Sequence, residues 1–204
     1  MNDVVRVLIA DDHALFREGI KSILEKAEDF TVVAEAATGS ETVEQALRCK
    51  PDVVLLDVSM PGRGGIETVQ ELKRRLPKLR ILMLTMHPED HFAVRCLKEG
   101  ADGYLTKDAA PIELLEAIRK VRTGGKYVTP SLAERLATNL ETGAGHMPHE
   151  GLSEREFEVL QLIAGGKTAS MIAIELHLSV KTVSTYRSRI LEKMAMKSNA
   201  EIIR

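Results

Sequence analysis

Short apolar runs alternate with amphipathic stretches five times between residues 4 and 124, and this alternation constrains the possible fold more than any other feature of the chain. Strands are predicted at Val5–Ala10, Thr31–Ala36, Val53–Asp57, Arg80–Thr85 and Gly103–Thr106, and helices at about 14–27, 40–49, 65–76, 88–99 and 111–123. Repeated strand–helix units form a parallel sheet with helices on both faces. We therefore predict a doubly wound α/β domain with a five-stranded parallel sheet over residues 1–124.

Residues 125–151 are predicted to form a connecting helix followed by a flexible linker. Ser131 and Glu134 have the spacing of a capping box, in which a hydroxyl and a carboxylate accept hydrogen bonds from backbone N–H groups at a helix start. This pattern predicts a short helix to about residue 140. The stretch 139–151 loses hydrophobic periodicity and gains Gly and Pro, which is typical of a linker.

The last segment, residues 152–204, has helical patterns throughout. Ser153 and Glu156 form a second capping box, and a second helix is predicted at about Thr168–Leu176. After a tight turn at 177–178, a third helix carries apolar residues at spacings that place them on one buried face: Val183, Tyr186, Ile190 and Met194. Two helices joined by so short a turn predict a helix-turn-helix in a small all-α domain.

Charge is distributed unevenly between these segments. The net charge is −2, but residues 151–204 carry +2, which leaves −4 for residues 1–150. A basic terminal domain favours a polyanionic partner. Cys49 and Cys96 have no metal-type neighbours in the sequence and are interpreted as small apolar residues. Since no apolar run approaches the length of a membrane span, we expect a soluble, cytoplasmic protein without membrane contact.

Polar residues follow four of the five predicted strands. Asp11 and Asp12 follow the first strand, Asp57 ends the third, Thr85 ends the fourth, and Lys107 follows the fifth. Because the carboxyl ends of parallel strands meet in one crevice, these side chains are expected to converge. Each of them alone has an ordinary structural explanation, such as a helix cap or a solvated charge. Their joint occurrence at strand ends indicates one site.

The chemistry of this site follows from its charges. Three converging carboxylates need a counter-charge, and oxygen-only ligands suit Mg²⁺. Asp12 is the first choice of direct ligand, together with Asp57, while Asp11 binds directly or through water. The carboxylate of Asp57 is then placed to attack a phosphoryl group and form an acyl phosphate. Lys107 would offset charge on the transferred group, and the Thr85 hydroxyl would donate to one of its oxygens.

Two resemblances cover nearly the whole chain. Residues 5–123 resemble the receiver domain of two-component response regulators, which has a flavodoxin-like fold, and residues 152–204 resemble the LuxR-type helix-turn-helix; the NarL/FixJ family combines the two. The matching segments are Ala10-Asp11-Asp12-His13, Asp57-Val58-Ser59-Met60-Pro61-Gly62, Leu84-Thr85-Met86-His87, residues 100–107 and residues 181–187. The resemblance implies that Asp57 accepts phosphate from a sensor histidine kinase or a small donor. It also implies that the Ser59 backbone carbonyl completes the metal shell, and that Thr85 and Tyr104 form a switch pair.

The third helix of the terminal domain is expected to enter the major groove of promoter DNA. The resemblance assigns base-edge contacts to Ser184, Thr185 and Ser188, and phosphate contacts to Lys181, Thr182, Arg187 and Arg189. It implies a homodimer on double-stranded DNA. The predicted function is a phosphorylation-dependent transcriptional response regulator rather than an enzyme.

Two alternatives remain open from the sequence. One is a regulator that binds DNA whatever its phosphorylation state. The other is a phosphohydrolase with an aspartyl-phosphate intermediate, as in haloacid dehalogenase-like phosphatases. Those enzymes use Asp-x-Asp, whereas Asp57-Val58-Ser59 lacks the second carboxylate, and a helix-turn-helix would have no role in such an enzyme.

Overall fold

A computed structural model describes residues 4–61, 64–86, 91–129, 132–134 and 152–203. The chain divides into two compact units, residues 1–142 and 143–204. The predicted helix cap at Ser131 and the predicted linker at 139–151 lie outside the described residues. The Thr129 hydroxyl accepts a hydrogen bond from the backbone N–H of Leu132. Leu132 is the first described residue of the connecting helix.

The first unit is built on a five-stranded parallel sheet. The strands are β1 Val5–Ala10, β2 Phe30–Ala36, β3 Val53–Asp57, β4 Arg80–Thr85 and β5 Gly103–Thr106. They are arranged in the order β2-β1-β3-β4-β5, with all neighbouring pairs parallel. The predicted doubly wound fold is therefore confirmed. Central strand β3 is buried along its whole length, which explains its uninterrupted apolar sequence.

Five helices cover the sheet: α1 Ala14–Glu25, α2 Gly39–Cys49, α3 Gly65–Arg75, α4 His91–Lys98 and α5 Pro111–Arg122. Apolar residues of α1 and α5 share one core cluster with inward-facing residues of β1, β3, β4 and β5. Helix α3 contacts both α2 and α4, as expected for the layer on the opposite face. Helix α5 ends where Gly124 adopts a positive φ of 92°, a conformation that glycine adopts readily.

Beyond α5, the backbone returns to the sheet. Tyr127 forms a parallel bridge with Gly103, and its carbonyl accepts the backbone N–H of Tyr104 at 2.9 Å. A Cβ on Gly103 would lie 2.9 Å from the Tyr127 carbonyl oxygen, so this close approach requires glycine. The segment after residue 124 is therefore paired with β5 before the connecting helix begins.

The second unit contains four helices among its described residues: α6 Glu154–Ala164, α7 Ala169–Glu175, α8 Val180–Lys193 and α9 Asn199–Ile203. The capping box of Ser153 and Glu156 is present as predicted. Val183 and Ile190 of α8 are buried in the core of this unit, and Tyr186 and Met194 pack against that core. None of the described helices has the length and apolar character needed to cross a membrane.

Candidate phosphoacceptor site and DNA-binding surface

The four strand ends meet as predicted. Asp11, Asp57 and Thr85 are almost completely buried, and the side chain of Lys107 is 5% exposed. Lys107 Nζ lies 2.7 Å from Asp11 Oδ2 and 3.0 Å from Asp57 Oδ2. One ammonium thus contacts two buried carboxylates that come from different strands. The backbone N–H of Lys107 also donates to the Thr85 carbonyl at 2.6 Å, which fixes the end of β5 beside the end of β4.

The environment of Asp57 disfavours its negative charge. Burial raises its pKa above the ordinary value of 3.8, the Lys107 ammonium opposes this shift, and the charge of Asp11 adds to it. The backbone N–H of Ser59 also hydrogen-bonds to the Asp57 carboxylate and lowers its pKa. The net effect is a raised pKa. Additional positive charge close to this carboxylate would therefore be stabilising.

An acidic pocket surrounds Asp57. Ligand atoms of Asp11, Asp12, His13 and Asp57 all lie within 4.8 Å of one another. Asp12 is partly exposed at the mouth of the pocket, with its side chain 28% exposed, whereas Asp11 and Asp57 form the floor. This set of carboxylates is typical of sites that bind hard divalent cations. The pocket therefore fits the predicted cation on its charge and donor chemistry.

Three neighbours of the pocket were given no role from the sequence. His13 Nδ1 lies 3.2 Å from Asp11 Oδ1, and Phe16 lies beneath the lysine, with its ring centre 4.8 Å from Lys107 Nζ. Arg17 Nη1 donates to the Asp11 backbone carbonyl at 2.7 Å and so holds the turn that leads into α1. The adjacency of His13 to the aspartate pair was visible in the sequence. The contacts of Phe16 and Arg17 follow only from where α1 packs.

The predicted switch residues lie on neighbouring strands, two positions apart in register. Thr85 ends β4, and Tyr104 lies on the neighbouring strand β5, where it pairs with Met83. Tyr104 is 2% exposed, so its ring faces the interior. By contrast, Met86, the residue after Thr85, is 71% exposed.

The predicted DNA-contacting residues lie on α8 or at its start. Lys181, Ser184, Thr185, Ser188 and Arg189 are exposed, while Thr182 and Arg187 are partly buried. The partial burial of Arg187 has a specific cause, because its Nε donates to Asn199 Oδ1 at 2.6 Å. No pattern in the sequence indicated this bond, which joins α8 to α9.

The hydroxyls of α8 bond to their own helix. Ser184, Thr185 and Ser188 each donate to the carbonyl four residues earlier, at 2.9, 3.0 and 3.1 Å. Because a hydroxyl has one hydrogen and two lone pairs, these side chains present acceptors outward. The exposed face of α8 thus combines hydroxyl acceptors with the cations of Lys181 and Arg189.

Fold and site together define a two-component response regulator, with a receiver domain followed by a LuxR-type DNA-binding domain. Residues 7–119 match the response regulator receiver domain, and residues 150–204 match the bacterial regulatory proteins of the luxR family. The chain belongs to the NarL/FixJ response regulators.

The similarity to known proteins extends over nearly the whole chain. It is 41% identical to response regulator GacA of Pseudomonas viridiflava over 98% of this chain and 94% of that protein. It is 38% identical to response regulator UvrY of Escherichia coli K12 over 98% and 92%. A solved structure of the RcsB–DNA complex matches with a TM-score of 0.62 at 28% identity, covering 98% of this chain and 96% of that one. Another structure is described as two RcsB dimers bound to two parallel DNAs, with a TM-score of 0.61 at 28% identity and the same coverage.

Proposed function

We propose that this response regulator accepts a phosphoryl group on Asp57 and, when phosphorylated, binds promoter DNA as a homodimer to control transcription. The observation that carries the proposal is the buried Asp57 carboxylate, 3.0 Å from the Lys107 ammonium and inside a pocket of further carboxylates. The proposed domains are a receiver over residues 1–124, a connector over 125–151 and a DNA-binding domain over 152–204. Such a regulator would act in the cytoplasm, where its DNA is.

The proposed reaction forms one bond and breaks one. A carboxylate oxygen of Asp57 attacks the phosphorus, and the bond from phosphorus to the donor breaks. The donor is either the phosphohistidine of a sensor kinase, whose imidazole nitrogen keeps the electron pair, or a small acyl phosphate. Lys107 offsets negative charge on the transferred group, and the Thr85 hydroxyl donates to one of its oxygens once the acyl phosphate has formed.

The proposed cofactor is Mg²⁺. Asp11, Asp12, Asp57 and the backbone carbonyl of Ser59 would hold it, because the pocket offers oxygen donors and an excess of carboxylate charge. When bound, the ion offsets negative charge on the phosphoryl oxygens. The protein is a phosphoacceptor rather than a turnover enzyme, with at most Mg²⁺-dependent self-phosphorylation and autodephosphorylation.

The proposed switch uses the new charge on Asp57. Phosphorylation adds about −1.5 to −2 charges and three acceptor oxygens. Hydrogen bonds to charged groups contribute roughly 1.5–3 kcal/mol each, and an inversion from 1:99 to 99:1 requires about 5.5 kcal/mol. Two or three such bonds, among them one from Thr85, therefore approach what is needed. Tyr104 would respond by occupying the space beside the displaced Thr85.

Helix α8 is the proposed recognition helix. Ser184, Thr185 and Ser188 would contact base edges, and Lys181, Thr182, Arg187 and Arg189 would contact phosphates. Outward acceptor oxygens suit the amino groups of adenine and cytosine, which are the donors of the major groove. The structure of RcsB dimers bound to DNA supports the proposal that this chain binds DNA as a dimer.

Footprinting on genomic promoter fragments with Mg²⁺, with and without acetyl phosphate, tests the proposal. Wild type and the matched control Asp108→Asn, an exposed carboxylate near the site, should both gain protection with acetyl phosphate. Asp57→Asn should gain no protection when acetyl phosphate is added. Equal protection in all conditions would favour the phosphorylation-independent regulator. Sustained hydrolysis of phosphate esters that depends on Asp57 would favour the phosphohydrolase.

A further inference from the structure

A groove with a volume of about 640 Å³ lies at the amino ends of β3 and β4, at the opposite end of these strands from the phosphoacceptor pocket. Its walls come from the loop between α2 and β3, from the segment between the end of α3 and the start of β4, and from the end of α5. None of its lining residues belongs to the phosphoacceptor site. Its volume lies within the range of small-molecule sites, about 300–1,000 Å³.

Cationic side chains dominate this groove, although residues 1–150 carry a net charge of −4. Asp52 is the acidic residue of its lining, and its Oδ2 already accepts from the backbone N–H of Arg6 at 2.8 Å. Five basic residues line the same groove: Lys50, Arg75, Lys78, Arg80 and Arg122. The lining therefore has a surplus of four positive charges.

Neighbouring carboxylates do not neutralise this surplus. Asp102 lies 3.1 Å from Arg80 Nη1, but it also pairs with Lys73 at 2.7 Å. Glu71, the partner of Arg75, likewise pairs with a second arginine. Each of these carboxylates is thus shared between cations, and the positive charge of the groove remains in excess.

The ends of three helices lie beside these cations, which offers a purely structural reason for them. α2 ends at Cys49, α3 at Arg75 and α5 at Arg122. Each helix C-terminus carries roughly half a negative charge, so three of them offset only about 1.5 of the positive charges. Lys50 and Lys78 are exposed and pair with no carboxylate in the part of the chain that the structure describes. Their ammonium groups are therefore available to an anion from solution.

The rest of the lining is apolar. Pro51 and Leu79 are buried, Leu76 is partly buried and Pro77 is exposed. Small-molecule sites typically combine an apolar surface with a few convergent polar groups. A ligand that fits both parts of this groove has an apolar ring at one end and several negative charges at the other.

We propose that this groove binds a nucleoside triphosphate, with its phosphates on the cations and its base against Leu76 and Pro77. Arg and Lys form charge-assisted hydrogen bonds with phosphate oxygens, and several adjacent phosphates make use of several cations at once. The inference does not depend on the phosphoacceptor chemistry, because the two sites lie at opposite ends of the sheet and share no residue.

Calorimetric titration of the full-length chain with ATP and with inorganic triphosphate tests this site. A metal-free buffer prevents a divalent cation from bridging the phosphates to the acidic pocket. The test variant combines Lys78→Ala with Lys50→Asn, because the φ of 47° at Lys50 suits asparagine. Two exposed lysines outside the groove provide charge-matched controls: Lys98→Ala on α4 and Lys181→Ala on α8.

The double variant should lose affinity for ATP by at least about tenfold, because two charge-assisted bonds are removed. Both controls should stay within about twofold of wild type, since an isolated exposed charge contributes little. In wild type, ATP should shift the backbone NMR signals of residues 50–52 and 75–80, and these shifts should be absent from the double variant. ATP should also bind more tightly than inorganic triphosphate.

Failure of wild type to bind millimolar ATP would overturn the inference, as would unchanged affinity in the double variant. A loss in Lys181→Ala as large as that in the double variant would place the nucleotide on the DNA-binding surface instead. Equal affinities for ATP and inorganic triphosphate would overturn the contact between the base and the apolar lining.

Discussion

Lys107 Nζ lies 3.0 Å from Asp57 Oδ2, although the two residues are fifty positions apart in the chain. The relationship depends on sheet order, because β3 and β5 both flank β4 and present their carboxyl ends on the same side. The same ammonium lies 2.7 Å from Asp11 Oδ2. Lys107 therefore links three strand ends electrostatically, and it lies beside the carboxylate that we propose as the phosphoacceptor.

Replacement of Lys107 by Ala should slow phosphorylation by acetyl phosphate roughly 100-fold, the effect of removing one preorganised donor from a developing charge. Lys98→Ala, an exposed lysine on α4, is the matched control and should react like wild type. Phosphoprotein formation can be followed by phosphate-affinity electrophoresis. A rate within threefold of wild type would show that Lys107 has no part in the transfer.

Asp57→Asn should stabilise the receiver at neutral pH by about 1 kcal/mol, because it removes a buried carboxylate whose charge the fold disfavours. The folded-state pKa of Asp57 is raised above the ordinary value of 3.8. Its contribution to stability is therefore fully present below 3.8 and is lost as pH rises through the higher folded-state pKa.

Thermal unfolding of both full-length proteins across this pH range checks the prediction. Wild type should gain stability relative to Asp57→Asn as the pH falls toward 3.8. If Asp57→Asn is less stable than wild type at pH 7, the Lys107 ammonium stabilises the carboxylate charge by more than burial destabilises it.

The sequence predicted strand bounds best where consecutive residues of a strand are all buried. β3 has its predicted bounds because its four apolar residues before Asp57 are completely buried, and four of the five strands were predicted without error. β2 begins one residue earlier, at Phe30, because that side chain joins the core beneath α1 and α5. The convergence of Asp11, Asp57 and Lys107 followed from strand ends alone, since topology brings those ends together.

Contacts between elements could not be predicted in this way. The bond from Arg187 to Asn199 joins two helices across a turn and leaves no periodic pattern in the sequence. The sequence predicts an apolar face of α6 formed by Phe157, Leu160, Ile163 and Ala164. Ala164 is exposed, whereas Val159, outside that series, is completely buried. Which face of a short helix is buried depends on the elements that it packs against, and these elements lie elsewhere in the chain.

Gly103→Ala should destabilise the receiver by roughly 1–3 kcal/mol. The added methyl would lie 2.8 Å from Leu82 Cδ1 and 2.9 Å from the Tyr127 carbonyl oxygen, so the pairing of the segment after α5 must shift. The control is Gly19→Ala in α1, where a Cβ meets nothing within 4 Å. That change should be neutral or stabilising by up to about 1 kcal/mol. Chemical denaturation of the two variants compares them; equal effects would contradict the steric argument.

Glu156 connects the start of α6 to α8. Its Oε2 accepts from the Ser153 backbone N–H at 2.7 Å and lies 2.6 Å from Lys193 Nζ. Burial raises its pKa, but the bonds to Lys193 and Ser153 more than offset this, so the pKa lies below its ordinary value of 4.5. The resulting stability is present above pH 4.5 and is lost as the pH falls through the folded-state pKa.

Glu156→Gln should therefore destabilise the second unit at pH 7 by about 1–2 kcal/mol and weaken its acid dependence. Glu158→Gln removes a partly exposed pair with Arg155 and serves as the control, with an expected change of at most about 0.5 kcal/mol. Circular dichroism melts between pH 3 and 7 measure both effects. Identical melts for the two variants would mean that the charge of Glu156 and its pair with Lys193 contribute little to stability.

Removal of Arg187 and removal of Arg189 should affect DNA affinity and thermal stability differently. Arg189 is exposed on α8, so Arg189→Ala should reduce the slope of log affinity against log salt for duplex DNA by about one without changing thermal stability.

Arg187→Ala should lower DNA affinity and also destabilise the second unit, because it breaks the bond to Asn199. Asn199→Ala isolates that bond: it should reproduce the loss of stability while leaving the salt slope near the wild-type value, since the guanidinium charge remains. Fluorescence anisotropy at several salt concentrations, paired with melting curves, separates the two roles. If Asn199→Ala changes neither quantity, Arg187 serves DNA contact alone and its bond to α9 is incidental.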